Sequence, residues 1–204
     1  MLLRPLLAAI VLAAIATPAA AGLQGPALAD ALRHGGYVLV MRHASSPASP
    51  PDVAAADPGN VDDERQLDSH GKASALAMGE AIRNLHVRIG QVWSSPTFRA
   101  LETARLAGLP TPMPAEQLGD HGHSMSAATG TQSDWLKVKA SERPRPGTDT
   151  VLITHQPNIA AAFGQQASGL GDGEALIFQP LGRGAERLVA RIPIDQWSGL
   201  AAGR

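Results

Sequence analysis

Two histidines stand at the ends of two apolar runs. The first run, Tyr37-Val38-Leu39-Val40-Met41, leads into Arg42-His43, and the second, Thr150-Val151-Leu152-Ile153-Thr154, leads into His155. Runs of this length and composition read as strands buried on both faces. In open α/β sheets ligands bind outside the carboxyl ends of such strands. Arg42 and His43 fall where the first strand reaches that edge, and an unpaired buried charge there is costly unless something anionic answers it. Either histidine alone can simply mark the end of a strand. Two of them, with an arginine beside one, point to convergence on a single anion site.

Two further groups carry possible chemistry. Arg99 follows Ser94-Ser95-Pro96-Thr97-Phe98, in which Ser95 reads as a helix cap and Pro96 as the first helical residue. That puts Arg99 about one turn into a helix, near the end whose dipole favours anions. Taken alone, however, its spacing favours a surface pair with Glu102, three positions on. The second group is Asp120-His121-Gly122-His123. It reads as a polar loop, with metal ligation as the alternative, since His-x-His beside a carboxylate can hold a metal.

The elements that must position these residues follow from the pattern around them. Pro26–Arg33 is expected to form a short helix ended by Gly35-Gly36. Residues 44–61 are rich in Ser, Pro and Gly and form a loop leaving directly from the proposed site. Such a loop should wall one side of the site, and Ser45 and Ser46 are candidate donors to a bound oxyanion, or else ordinary loop serines. Asp68 or Ser69 caps a helix running to about Leu85. Gln91–Ser94 is a second strand. Leu109–Thr148 is poorly periodic, with one short helix over Ser133–Ser141. After His155 a helix starts with Asn158 as a reasonable cap. Ala175–Gln179 and Arg187–Ile192 are two more strands, joined as a hairpin through Gly182-Arg183-Gly184. The tail from Ser198 is expected to fray. His34, His70 and His86 read as structural or solvated.

Composition narrows the function classes. The chain of 204 residues has length for one domain with a real core. A formal net charge of −1 and 3% aromatic residues argue against nucleic acid as a partner. With no cysteine, disulfides, thiolate catalysis and cysteine-ligated zinc are all removed. The N-terminus begins Met1-Leu2-Leu3-Arg4, continues with an apolar core over Leu6–Ile15, and ends Thr17-Pro18-Ala19-Ala20-Ala21. This is the pattern of a secretory signal peptide over residues 1–21, cleaved after Ala21, with an uncleaved membrane anchor as the alternative. The expectation is a single domain over residues 22–204, periplasmic or secreted, with no stable membrane insertion after cleavage. Oligomeric state has no readable signal.

Three segments taken together resemble a known family. They are Met41-Arg42-His43-Ala44-Ser45-Ser46, Ser94-Ser95-Pro96-Thr97-Phe98-Arg99-Ala100-Leu101-Glu102-Thr103-Ala104, and Val151-Leu152-Ile153-Thr154-His155-Gln156-Pro157. In this order they resemble the histidine phosphatase superfamily, also called phosphoglycerate-mutase-like. The likeness extends through Arg65-Gln66-Leu67 and Gly71, and the size matches the small branch 1 members. The resemblance implies a three-layer α/β/α sandwich with a mostly parallel central sheet. It implies phosphomonoester hydrolysis through a phosphohistidine on His43, with Arg42, Arg99 and His155 holding the phosphoryl oxygens and no cofactor or metal. A protonated His155 would suit that role. Leu118-Gly119-Asp120 resembles the segment that supplies the general acid, which favours Asp120 over Glu116. One departure is Ala44, where the family usually has glycine. Alanine disfavours positive φ, so the backbone there is expected to differ slightly.

Three other functions remain open on sequence. One is a metal-dependent phosphatase using His43, His155, Asp120 and His121 or His123. Another is a non-catalytic phosphate- or glycan-binding module on the same fold. The third is a phosphotransferase or mutase. The expected partner is a small phosphorylated substrate or the phosphate of an envelope glycan.

Overall fold

The structure is a computed structural model and describes residues 22–47, 64–119 and 130–202. The expected signal peptide, most of the 44–61 loop and the 120–123 cluster lie outside the described residues. Among the described residues no helix is long and apolar enough to cross a membrane.

Six strands form one sheet: β1 (Val38–Arg42), β2 (Ile89–Ser94), β3 (Met113–Pro114), β4 (Asp149–Thr154), β5 (Ala175–Gly182) and β6 (Ala185–Ile192), in the order β3-β2-β4-β1-β5-β6. The first four strands of that order are mutually parallel. β5 runs antiparallel to β1, and β6 antiparallel to β5. β1 and β4 lie inside the sheet, which is why both read as continuous apolar runs. β6 is one edge, and its burial alternates only over its first half, residues 185–188, before the strand becomes more buried.

Strand side chains alternate between faces, and each face has its own core. Leu39, Met41, Val92, Val151, Ile153 and Ile177 pack on one side beneath α1 (Gly25–His34), α2 (Ser69–Asn84), α3 (Phe98–Leu106) and α6 (Trp197–Ala202). Val38, Val40, Leu152, Leu176 and Phe178 face the other way, against α4 (Gly130–Ser141) and α5 (Gln156–Phe163). The result is the expected three-layer α/β/α sandwich with a mostly parallel sheet.

Local details depart from expectation in instructive ways. α3 begins at Phe98, with Thr97 in the cap position, so Ser95 and Pro96 precede the helix. Asn158 does not cap α5; it is buried in the first turn and donates to the Leu118 and Gly119 carbonyls and to Thr154 Oγ1. The tail is not frayed through Ala202, because buried Trp197 anchors α6 against the core. The β5–β6 hairpin turns through Arg183 and Gly184, both with positive φ (55° and 75°), the pairing that two-residue hairpins favour.

Candidate active site

The sheet register brings the two histidines together. Arg42 lies opposite Thr154 across the β1–β4 pair, so His43 and His155 leave adjacent strands at the same level. Their rings sit 5.2 Å apart, centroid to centroid, and both are buried. Ser94, at the end of β2, pairs with Ile153 next door, so the segment entering α3 arrives at the same edge. Arg99 is 1% exposed in the first turn of α3, which settles its role against a surface pair. Glu102 takes Arg105 instead, at 2.6 Å.

The hydrogen bonds define which ring nitrogens are open. His43 Nδ1 lies 2.8 Å from the Ala44 carbonyl, an acceptor, so Nδ1 carries the proton and Nε2 keeps its lone pair. Arg99 Nε donates to that Nε2 at 3.3 Å. Arg99 Nη2 approaches His155 Nδ1 at 3.5 Å, while His155 Nε2 lies 2.8 Å from Ser95 Oγ. One guanidinium thus spans the two imidazoles. Burial holds the His43 pKa well below its ordinary value, and Arg99, Arg42 and Arg65 push it the same way. Burial also lowers His155 first, then His43 and Arg99. These causes favour the neutral form of His155, whereas the role implied by the resemblance would be suited by a protonated one. A bound anion supplies the charge that would raise it.

The loop after His43 is tied down residue by residue. The Ala44 N–H donates to Thr103 Oγ1 at 3.0 Å, and that hydroxyl donates to the Arg99 carbonyl at 2.7 Å. Ala44 is fully buried and is not among the described residues with positive φ, so the departure from glycine needs no special backbone. Ser45 and Ser46 are placed otherwise than as oxyanion donors. Ser45 Oγ donates to Asp68 Oδ2 and Ser46 Oγ to the Gln66 carbonyl, both at 2.7 Å, so both hydroxyls fasten the loop. Asp68 also accepts the Gly71 N–H, and these bonds hold its carboxyl below the usual range. Gly71 must be glycine: a Cβ there would lie 2.1 Å from the Ser45 carbonyl oxygen.

Sequence reasoning missed Arg65 as a site residue. It is 4% exposed, donates to Ser46 Oγ at 3.0 Å, and its charge is felt by both imidazoles. It follows a loop with no periodicity, so no element placed it; its only signal was its place in the Arg65-Gln66-Leu67 segment. Arg42 is the most open of the three arginines, with a 26% exposed side chain whose Nη2 lies 2.8 Å from Asp172 Oδ1. Glu64, buried beside Arg65, accepts the Phe98 N–H at the start of α3.

Asp120 lies outside the described residues, but the chain leading to it is clamped. The Gly119 carbonyl accepts from Asn158 Nδ2 and Gln132 Nε2, each at 3.0 Å, and the Leu118 carbonyl accepts from Thr154 Oγ1 at 2.7 Å. Residue 119 is thereby fixed beside the end of β4. Glu116 is exposed in the preceding 3₁₀ turn. Among the described residues no group of three or more His, Asp or Glu side chains is arranged to hold a metal; His121 and His123 fall outside that statement.

A partly exposed arginine followed by a buried histidine at the carboxyl end of a sheet strand, with a second buried histidine and a helix-borne arginine, makes up a candidate anion site. A family model matches part of the chain: that of the histidine phosphatase superfamily (branch 1) is similar over residues 38–120, which hold the first two of the three motifs, while the segment ending in His155 lies beyond it. No curated protein matches the chain in sequence. Among solved structures, the protein histidine phosphatase SixA complexed with tungstate is similar with 18% identity and a TM-score of 0.58, covering 78% of this chain and 98% of that one. A phosphoserine phosphatase mutant from Entamoeba histolytica, in complex with phosphoserine, is similar with 13% identity and a TM-score of 0.51, covering 78% and 97%. At these identities the two structures speak to the fold, which is phosphoglycerate-mutase-like.

Proposed function

We propose that the protein is a phosphomonoesterase working through a phosphohistidine on His43. One observation carries this reading: His43 Nδ1–H is fixed on the Ala44 carbonyl at 2.8 Å, so the Nε2 lone pair faces Arg99 in a buried, cation-lined site. A histidine kept neutral by burial and by arginines is a nucleophile that needs no separate base. Nε2 attacks phosphorus in line, the P–N bond forms, and the ester P–O bond breaks. The leaving oxygen takes a proton, for which Asp120 is the proposed donor. Water then attacks the phosphohistidine, restoring neutral His43 and releasing inorganic phosphate.

Charge in such a transition state spreads over three equatorial oxygens, so catalysis is mainly position and electrostatics. Arg99 and Arg42 are the proposed clamps on those oxygens, with Arg65 adding positive potential. Arg99 Nε and Nη2, which rest on the two imidazoles in the free site, turn to the stronger anionic acceptor. His155, held through Ser95, contributes a third donor to the phosphoryl group. These cations meet the charge demand that a metal meets in other phosphatases.

We further propose that the enzyme is exported, on the signal-peptide pattern of residues 1–21. An exported enzyme would act on scavenged small monoesters or envelope glycan phosphate. The test is hydrolysis of a phosphomonoester panel in excess chelator by wild type and His43→Ala. The reading requires release of phosphate by wild type in chelator and its loss in the variant. Full turnover by the variant, or loss of wild-type activity to chelator alone, would overturn it.

A further inference from the structure

The turn Gly171-Asp172-Gly173-Glu174, between α5 and β5, is built rather than loose. Gly171 N donates to Glu174 Oε2 at 2.8 Å, and Arg191 Nε holds Glu174 Oε1 at 2.7 Å. The turn is fastened to the site strand at two points: Arg42 N donates to the Glu174 carbonyl at 3.2 Å, and Gly173 N donates to the His43 carbonyl at 2.9 Å. Gly173 has φ 65°, and a Cβ there would lie 2.4 Å from Ile194 Cδ1, so the tip cannot shift or take another residue cheaply. This construction delivers one carboxylate, Asp172, to within 2.8 Å of Arg42 Nη2.

The contact is one of charge more than of alignment. Among the described residues, buried Arg42 Nε and Asp172 Oδ1 both lack a hydrogen-bond partner. The two side chains are 26% and 37% exposed, whereas Arg99 and Arg65 are 1% and 4% exposed. Arg42 and Asp172 therefore form the open rim of the arginine cluster. The transferred phosphoryl group must lie against buried His43 and within reach of Arg42, which leaves the outer side of the rim, beside Asp172, to the rest of the substrate.

We propose that Asp172 is a specificity-determining residue that makes the site disfavour phosphate compounds bearing a second acidic group near the phosphate, and favour those whose remainder is uncharged. The inference rests on the phosphate-site reading above. A fixed carboxylate partly cancels Arg42 at the rim and repels a further carboxylate brought there. At separations of about 7 Å and the intermediate dielectric of a pocket mouth, that repulsion amounts to roughly a three- to tenfold change in affinity.

Non-hydrolysable ligands separate this claim from the catalytic one. Methylphosphonate and 3-phosphonopropionate, which differ by a carboxylate arm, are titrated calorimetrically into wild type, Asp172→Asn and Asp172→Glu at one pH and salt. Each protein reports a ratio of two affinities, so a general loss of active fraction cancels. The expected result is a wild-type preference for methylphosphonate that shrinks about three- to tenfold in Asp172→Asn and persists in Asp172→Glu. The same ratio in wild type and Asp172→Asn overturns the proposal, as does failure of wild type to bind either phosphonate. Binding with the expected ratios but no ester hydrolysis would leave Asp172 in this role and defeat the catalytic reading alone. Hydrolysis with an unchanged ratio would do the reverse.

Discussion

The two ends of the β1–β4 strand pair bury ionisable groups to opposite effect. At the carboxyl end, His43 and His155 are buried among arginines, and burial and charge act in the same direction to keep both imidazoles neutral. At the amino end, Asp149 is buried, and among the described residues no cation answers it. Its Oδ1 accepts the Tyr37 N–H at 2.8 Å, and its Oδ2 has no partner among the described residues. Burial raises its pKa to about 7, against the weaker pull of the Tyr37 and Gly36 N–H groups. Asp149 latches the start of β1 onto β4 and is complete without a ligand. On the proposed function, the site end is the one that an anion completes, by engaging Arg99, Arg42 and the imidazoles. Burial alone does not distinguish function from structure; the sign of the surrounding charge does.

The comparison breaks most severely at His43. His43→Ala removes the nucleophile, and phosphate release should fall to background in a monoester assay. Arg99→Ala leaves the nucleophile but removes the fork spanning both imidazoles, and kcat should drop on the order of 10²–10³-fold. A loss confined to KM would show that Arg99 serves only ground-state binding.

The pH behaviour of the two ends should have opposite signs. Asp149 has a folded pKa of about 7 against an ordinary 3.8, so the folded protein holds a proton that the unfolded chain releases. Its contribution to stability is present below about pH 4 and lost as pH rises towards 7, at most on the order of 4 kcal/mol. The histidines have lowered folded pKa values, so the unfolded chain binds more protons below pH 6.5, and their contribution is lost as pH falls. Urea midpoints of Asp149→Asn and wild type should therefore diverge in favour of the variant as pH rises from about 4 to 7. Parallel profiles would remove Asp149 from this account. Activity should follow the other end: the acidic limb of kcat/KM should lie well below pH 6.5, because His43 resists protonation there. The smallest effect is expected for Ser95→Ala, which frees His155 Nε2 and should lower kcat by about fivefold, the worth of one hydrogen bond.

What was legible in the sequence follows the same division. β1 and β4 were readable because strands buried on both faces are continuous apolar runs, and polar residues ending such runs stand out. That sufficed to bring Arg42, His43 and His155 together. Arg99 needed the family resemblance, since its spacing to Glu102, taken alone, favours a surface pair. Arg65 and Asp172 were not legible as site residues, because each reaches the site from an irregular segment whose path is set by tertiary contacts. Ser95 carried a true signal, a short polar side chain before a helix, but its hydroxyl was drawn to His155 and the cap position passed to Thr97. Ser45 and Ser46 show the converse. Their adjacency to the Arg-His pair suggested ligand contact, while Asp68 and the Gln66 carbonyl claim their hydroxyls.

The central claim is that His43 Nε2 takes up the phosphoryl group. Rapid acid-free quenching of the enzyme during turnover of a 32P-labelled monoester, followed by peptide mapping, tests it directly. The label should be acid-labile and alkali-stable, should map to the peptide containing His43, and should be absent from His43→Ala. Label on any other residue, or steady turnover with no labelled enzyme at any time point, would contradict the account.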